Sequence, residues 1–471
     1  MNKIKKYIII GIMVTPLIGL EIVWTEDTPI SPLDYVSSYL SATNARTIAC
    51  SDGGRIHVVW HEPQSPYPQD FAIWYRYSDD KGNNWSTTTC ISPYSPGMDN
   101  YTNTDPTIAV FGQQGVYVIW DGFNSSYTYG WATHLISYDN GQNWEYHGMW
   151  VYWGIEPPSG FNSLCSDGNN YLVFYDQQWI PQFGEYRLLG AASVNSGQNW
   201  NAPAYWHGYY NDEKPDNMPC TACDSIDRGY LVWEAIDSLN HQIIMFGLTY
   251  WGEFPLVPYP GSGSRGAPFI ESDLNGNLYV VWSDSRDGNY EIYFKKSPDG
   301  GNNWSPDKRL TNANGVSTAP QLAIGREGQI FVVWSDKRDG NFEIYFKYSE
   351  DYGETWSEDI RLTDNPASST KPHITISPDK NSIYIVWNDK RNGDIEEVYF
   401  KRGDIATGLK EEKVEKDKIK ILMDNFSFLK WNENKIVDIT GRITKDKPQK
   451  GIYFIIHPHN RIKVIKIEGI K

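Results

Sequence analysis

Two neighbouring segments, APFIESDLNGNLYVVWSDSRDGNYEIYFKKSPDGGNNW at Ala267–Trp304 and APQLAIGREGQIFVVWSDKRDGNFEIYFKYSEDYGETW at Ala319–Trp356, are variants of one unit. A third copy, KPHITISPDKNSIYIVWNDKRNGDIEEVYFKR, begins at Lys371, so starts at 267, 319 and 371 set a period of 52 residues. Within each copy an apolar strand ends in Trp, a second aromatic strand follows, and Gly, Asn and Asp cluster between them. Such a unit reads as four short strands joined by turns. Repetition at this length predicts the blades of a propeller, each burying its faces against its neighbours.

Working outward, more diverged copies keep the strand that ends in an aromatic: IHVVW at Trp60, VYVIW at Trp120, YLVFY at Tyr175 and YLVW at Trp233. With Trp282, Trp334 and Trp387 these make seven landmarks. The fold class is therefore all-β, a seven-bladed β-propeller followed by a small C-terminal β-domain. The seventh unit runs out after its third strand, whereas WTEDTPISPL from Trp24 parallels WSTTTCISPY from Trp85. The N-terminal stretch is thus expected to supply the missing outer strand of the last blade, which removes an open edge.

Composition agrees. Aromatic residues make up 15% of the chain, with 20 Trp and 32 Tyr, and such side chains suit pleated, half-buried surfaces. The net charge of −16 argues against a nucleic-acid partner. It divides unevenly: residues from Asp404 onward hold fifteen Lys/Arg and ten Asp/Glu, a net +5, leaving −21 on the rest. Five cysteines are an odd, sparse set for a disulfide framework. Cys50, Cys165 and Cys223 each lie ten residues before their landmark, which predicts buried strand positions. Residues 1–21 read as a signal peptide, with Lys3, Lys5 and Lys6 before the apolar run YIIIGIMVTPLIGL. No other stretch is apolar enough to span a bilayer once that segment is removed. Histidines show no metal spacing, and neither a phosphate loop nor a Ser-His-Asp elbow is present, so no metal or cofactor is expected.

Between the third and fourth strands runs S-x-D-x-G-x-x-W, as SDDKGNNW (Ser78–Trp85), SYDNGQNW (Ser137–Trp144), SPDGGNNW (Ser297–Trp304) and SEDYGETW (Ser349–Trp356). A fifth copy, SVNSGQNW, carries Asn195 for the Asp. An Asp side chain that accepts turn amides, a Gly with positive φ and a covering Trp make a capped turn, a structural device. On these motifs residues 24–403 resemble the Asp-box (BNR-repeat) propellers of the sialidase superfamily. The resemblance implies a ligand site on the face opposite the boxes. In sialidases of that superfamily it also implies three arginines for a substrate carboxylate, a Tyr–Glu nucleophile, an Asp acid/base and an early Arg-Ile-Pro motif. This chain lacks Arg-Ile-Pro; its nearest early arginines are Arg46 and Arg55.

Every landmark is followed within two residues by an acid: Glu62, Asp121, Asp176, Glu234, Asp284, Asp336 and Asp389. A propeller is expected to gather these as a ring of carboxylates around its mouth, where pairs can divide acid and base roles. Arg286, Arg338 and Arg391 follow the last three acids by two residues and are expected either to brace them or to bind a ligand carboxylate. That leaves Glu62, Asp121, Asp176 and Glu234 as the catalytic candidates. Long loops in the second to fourth blades contribute Trp150, Trp153, Trp179, Trp206, Tyr209 and Tyr210, candidates for stacking on sugar faces.

The tail divides into a charged linker, residues 404–418, and residues 419–471. There the run VDITGR, KGIYFI, KVIKI resembles the C-terminal sorting domain of the type IX secretion system. The implied protein is a monomer, secreted or attached at the outer cell surface, with a glycan or glycoprotein and the secretion machinery as partners. Three functions remain open at this stage: a glycan-binding propeller, an exo-sialidase or other glycoside hydrolase, and a protein-interaction scaffold. With those bounds the propeller is residues 22–403.

Overall fold

The strands that end in the landmarks are apolar on both faces, the composition of strands buried between layers. In the computed structural model they are the second strands of seven antiparallel sheets, and Trp60, Trp233, Trp282, Trp334 and Trp387 are at most 1% exposed. The structure describes residues 20–32, 36–41, 45–64, 67–92, 101–124, 130–152, 162–180, 185–201, 204–205, 217–236, 242–248, 251–257, 263–326 and 328–406, with strand segments 435–438, 451–456 and 462–467. The first nineteen residues of the expected signal peptide therefore lie outside the described residues, as does most of the linker. Among the described residues no helix is long and apolar enough to cross a membrane.

The sheets form the seven blades of a β-propeller. Blade 1 comprises Ile48–Cys50, Ile56–Gln64, Tyr67–Ser78 and Thr89–Cys90, and blade 5 comprises Arg265–Ser272, Leu278–Asp284, Glu291–Ser297 and Lys308–Arg309. Blade 7 takes Ser369–Ile376, Ser382–Asp389 and Glu397–Ile405 from the end of the ring and Ile22–Trp24 with Thr28–Pro29 from its start. Ile22 pairs with Ile405, Trp24 with Gly403 and Thr28 with Phe400, the closure that the parallel between Trp24 and Trp85 predicts.

The chain divides into two compact units, Met1–Ile405 and Ala406–Lys471. In the second, Lys435–Asp438, Gly451–Ile456 and Ile462–Ile467 form an antiparallel three-stranded sheet.

The S-x-D-x-G-x-x-W turns hold blade to blade. Ser78 Oγ donates to Asp80 Oδ1 at 2.9 Å and accepts from the Gly82 amide at 2.8 Å, while Asp80 Oδ1 accepts from the Asn84 amide at 2.8 Å. Asn195 keeps the same bond, accepting from the Asn199 amide at 2.9 Å. A methyl at Gly141 would strike the Tyr75 hydroxyl of the preceding blade, so that position admits no side chain. Each turn's Trp then meets an aromatic ring of the preceding blade edge-on: Trp85 with Phe400, Trp144 with Tyr75, Trp304 with Phe246 and Trp356 with Phe294, at 5.1–5.2 Å. Trp24 does likewise on Phe346 at 5.0 Å, which marks the N-terminal strand as a fourth strand of the same repeat.

Cys165 and Cys223 are buried strand positions, as expected, but they are also joined in a disulfide, with Cα atoms 6.0 Å apart. This corrects the reading that the cysteines are too sparse to pair. Their common offset from the landmarks sets them at the same height in the first strands of blades 3 and 4, and adjacent blades bring those strands together.

Candidate functional site

The first hairpin of each blade and the boxed turn lie on one face. The Asn140 amide of one turn, for example, donates to Gln114 O at the tip of its own blade's first hairpin. The second strands therefore exit on the other face, and their last residues decide what that face presents. Side chains alternate along a strand, so acids one and two residues past the landmark point opposite ways. The seven acids consequently form two sets instead of one ring, which corrects the expectation of a single circle.

Glu62, Asp284, Asp336 and Asp389 lie two residues on and share the landmark's side. Each accepts the indole N–H of its own landmark, at 2.9, 3.0, 2.8 and 2.8 Å. Glu62 Oε2 also accepts from Ser38 Oγ at 2.7 Å. The other three hold the arginine of their own blade. Arg338 Nε donates to Asp336 Oδ1 at 2.8 Å, and its Nη1 reaches Asp359 at 2.7 Å, where Lys347 also binds. Arg286 repeats this with Asp284 and Asp307, and Arg391 with Asp389 and Asp27. Burial opposes the charge on these guanidiniums, yet the paired carboxylates keep each above its ordinary pKa. The three arginines are thus each engaged within a separate blade and do not converge.

Asp121, Asp176 and Glu234 lie one residue past the landmark and point toward the following blade. Asp121 Oδ2 accepts from Asn162 Nδ2 of blade 3 at 3.0 Å, and Glu234 Oε1 accepts the Ala267 amide of blade 5 at 2.6 Å. Elsewhere around the ring this position holds His61, Ser335 and Asn388, which likewise bond the neighbouring segment. Burial, then the charges of Asp176 and Asp105, push the Asp121 carboxyl well above the carboxylate range. Burial pushes Glu234 up to about 7.

The sign of the resulting pH effect follows from proton binding. Between the ordinary Glu value and about 7 the folded state keeps a proton that the unfolded chain has released. Stability contributed by Glu234 is therefore present at low pH and falls as pH rises through that window. Glu234→Gln is expected to leave the melting temperature unchanged near pH 4 and to raise it at pH 8. Melting curves at the two pH values check this, and a lower melting temperature at pH 8 would refute it.

Five of the seven first strands are bulged. Asp105, Met218, Ala267, Ala319 and Lys371 all have φ between 48° and 56°, each precedes a proline, and the strand register shifts there. Bulges re-aim side chains at the rims of sheets, and in these five blades they lie toward the face opposite the boxed turns.

Of the remaining candidates, Trp150 and Trp179 lie in strands, with side chains outside the described residues. Trp153, Trp206, Tyr209 and Tyr210 also lie outside them. Sequence reasoning gave Arg46 no role, yet it crosses the axis of the ring. From the approach to blade 1 its Nη2 donates to Ile270 O at 2.9 Å and Glu271 at 2.8 Å, both on blade 5. Nothing in the local sequence signals partners so distant along the chain.

No family model matches the chain, and no curated protein matches it. Solved structures do. A protein of unknown function from Dyadobacter fermentans aligns with a TM-score of 0.53 at 14% identity, over 82% of this chain and 99% of that one. An ulvan lyase aligns with a TM-score of 0.54 at 12% identity, over 79% of this chain and 95% of that one. A sialidase from Streptococcus pneumoniae aligns at 0.41 and 13%, over 79% and 70%. At such identities the likeness is one of fold: this chain shares a seven-bladed propeller architecture with the first two along nearly their whole lengths.

Proposed function

We propose that this chain is an exported propeller of the Asp-box, sialidase-like type that recognises glycans on the face opposite its boxed turns, as a binding protein. The observation that carries the reading is the common placement of Asp121, Asp176 and Glu234. They occupy one strand position in three consecutive blades, and Asp121 and Glu234 each bond the first strand of the next blade. Those are the blades whose connecting sequence holds Trp150, Trp153, Trp179, Trp206, Tyr209 and Tyr210. A carboxyl held near neutrality donates and accepts hydrogen bonds, as hydroxyl-rich ligands require. The ulvan lyase uses the same fold on a polysaccharide, which supports the direction of the reading.

Export is the second part of the proposal, with residues 1–21 as signal peptide, 404–418 as linker and 419–471 as a type IX sorting domain. The Cys165–Cys223 disulfide supports it, because such bonds persist in oxidising compartments. Delivery is then to the medium or the outer cell surface.

A second reading is catalytic: raised carboxyls at Asp121 and Glu234 are the kind of groups that serve as general acids in glycoside hydrolysis. Full-length protein on a glycan array, with parallel turnover assays on a fluorogenic sialoside and on polysaccharides, separates the two. Binding without turnover is expected. Turnover abolished by Asp121→Asn or Glu234→Gln would replace the binding reading with the catalytic one, and silence in both assays would sink both.

A further inference from the structure

Blade 1 carries no carboxylate at the position that Asp121, Asp176 and Glu234 occupy; it carries His61. The ring is 9% exposed and fixed on several sides. Its backbone bonds Tyr39 in both directions, at 2.8 and 3.0 Å, as an isolated bridge from the segment that leads into the blade. The Tyr39 ring stacks on the imidazole at 5.7 Å, and Phe71 meets it edge-on at 5.5 Å. Tyr39 and Phe71 are only half-buried.

The tautomer is set by the next blade. The Asp105 amide, delivered by the blade 2 bulge, donates to His61 Nδ1 at 3.2 Å. Nδ1 is then the acceptor and Nε2 carries the proton. Burial, with the nearby Lys371 ammonium, lowers the imidazole pKa to about 3, so the ring is neutral at physiological pH. Among the described residues Nε2 has no hydrogen-bond partner, and it is not among the enclosed polar atoms left without one. The N–H is therefore an oriented donor that faces an opening.

Lys371 lies at the blade 7 bulge, and its charge acts on the His61 imidazole. Its side chain is exposed and, among the described residues, its ammonium has no ion-pair partner. Residues 1–403 carry a net charge of −21, so a cation with no ion-pair partner among the described residues, beside an open N–H donor and two half-buried rings, runs against the background. Aromatic faces stack on the C–H faces of sugar rings, and an ammonium selects an anionic substituent.

We propose that Tyr39, His61, Phe71 and Lys371 form a saccharide subsite at the inner end of blade 1, specific for a sugar bearing a carboxylate or sulfate. The rings take the sugar face, His61 Nε2–H donates to a ring oxygen or hydroxyl, and Lys371 Nζ binds the anionic group. This subsite rests on the glycan-binding reading and names the ligand class within it.

The test uses full-length protein, titrated with uronic-acid-containing, sulfated and neutral oligosaccharides. Lys371→Ala is expected to weaken binding of the anionic ligands about tenfold and to leave neutral ones unchanged, since one charge-assisted bond is lost. Tyr39→Ala should weaken all classes by about the same factor through lost stacking. His61→Gln, whose amide can accept from Asp105 and still donate outward, should retain more affinity than His61→Leu. Melting temperatures must stay within a degree or two of wild type for Lys371→Ala, which removes only exposed atoms. Wild-type binding that both Lys371→Ala and Tyr39→Ala leave intact would overturn the subsite alone, as would preference for neutral sugars. Wild-type protein that binds no glycan would overturn the glycan reading and the subsite together.

Discussion

A chain shortened to begin at Ile30 is expected to lose the cooperative unfolding transition of the propeller and to be cut rapidly by protease. The deleted stretch is the outer strand of blade 7, paired from Ile22↔Ile405 to Pro29↔Tyr399. Without it the third strand of that blade becomes an unpaired edge. Two side chains multiply the damage. Trp24 covers Phe346, and truncating a packed Trp costs about 3–5 kcal/mol. Asp27 is held by Arg391 at 2.8 Å and Lys401 at 2.9 Å; without it Arg391 keeps Asp389 but Lys401 loses its carboxylate, at a further cost of about 1–3 kcal/mol. The sum is comparable to the ~5–15 kcal/mol net stability of most folded domains. Denaturant unfolding and limited proteolysis of the shortened chain check this. A wild-type midpoint and slope would show that the N-terminal strand does not close the ring.

The next largest effect is expected from the disulfide. Replacing Cys165 and Cys223 by Ser, or adding reductant to the native protein, should destabilise the propeller by about 4 kcal/mol. That is the loop-closure entropy of a bridge across 58 residues. For a unit of this size the loss is about 5 °C in melting temperature. Oxidised and reduced protein melted side by side provide the measurement, and coincident curves would contradict the prediction. The remaining cysteines Cys50, Cys90 and Cys220 are free thiols, so blocking them by alkylation keeps the comparison clear of thiol–disulfide exchange.

Much of the propeller was legible because each blade repeats one strand-and-turn grammar, and repetition turns a local signal into a count. Trp24 could be placed from sequence, since WTEDTPISPL from Trp24 parallels WSTTTCISPY from Trp85. The disulfide was missed for an instructive reason. The equal offset of Cys165 and Cys223 signals packing, but in adjacent blades it is also the geometry that lets thiols meet. The acids were misread as one ring because a window of two residues ignores strand parity. Trp60-His61-Glu62 and Trp120-Asp121 look alike at that resolution, yet they send their carboxylates to opposite faces. His61 was invisible for the converse reason: its environment is assembled from Tyr39, Asp105 and Lys371, which share no sequence neighbourhood. Arg46, bonded to a carbonyl 224 residues away, is the extreme case.

Closure of blade 7 by Ile22–Trp24 has a topological consequence. The first and last strands of the ring are hydrogen-bonded neighbours, with Ile22 directly opposite Ile405. The ring therefore has no intrinsic beginning. A circularly permuted chain, joined through that pair and opened between any two other blades, would trace the same architecture with a different blade holding the seam. Both strands at the seam belong to one blade, so the other six are left free to vary without touching the closure.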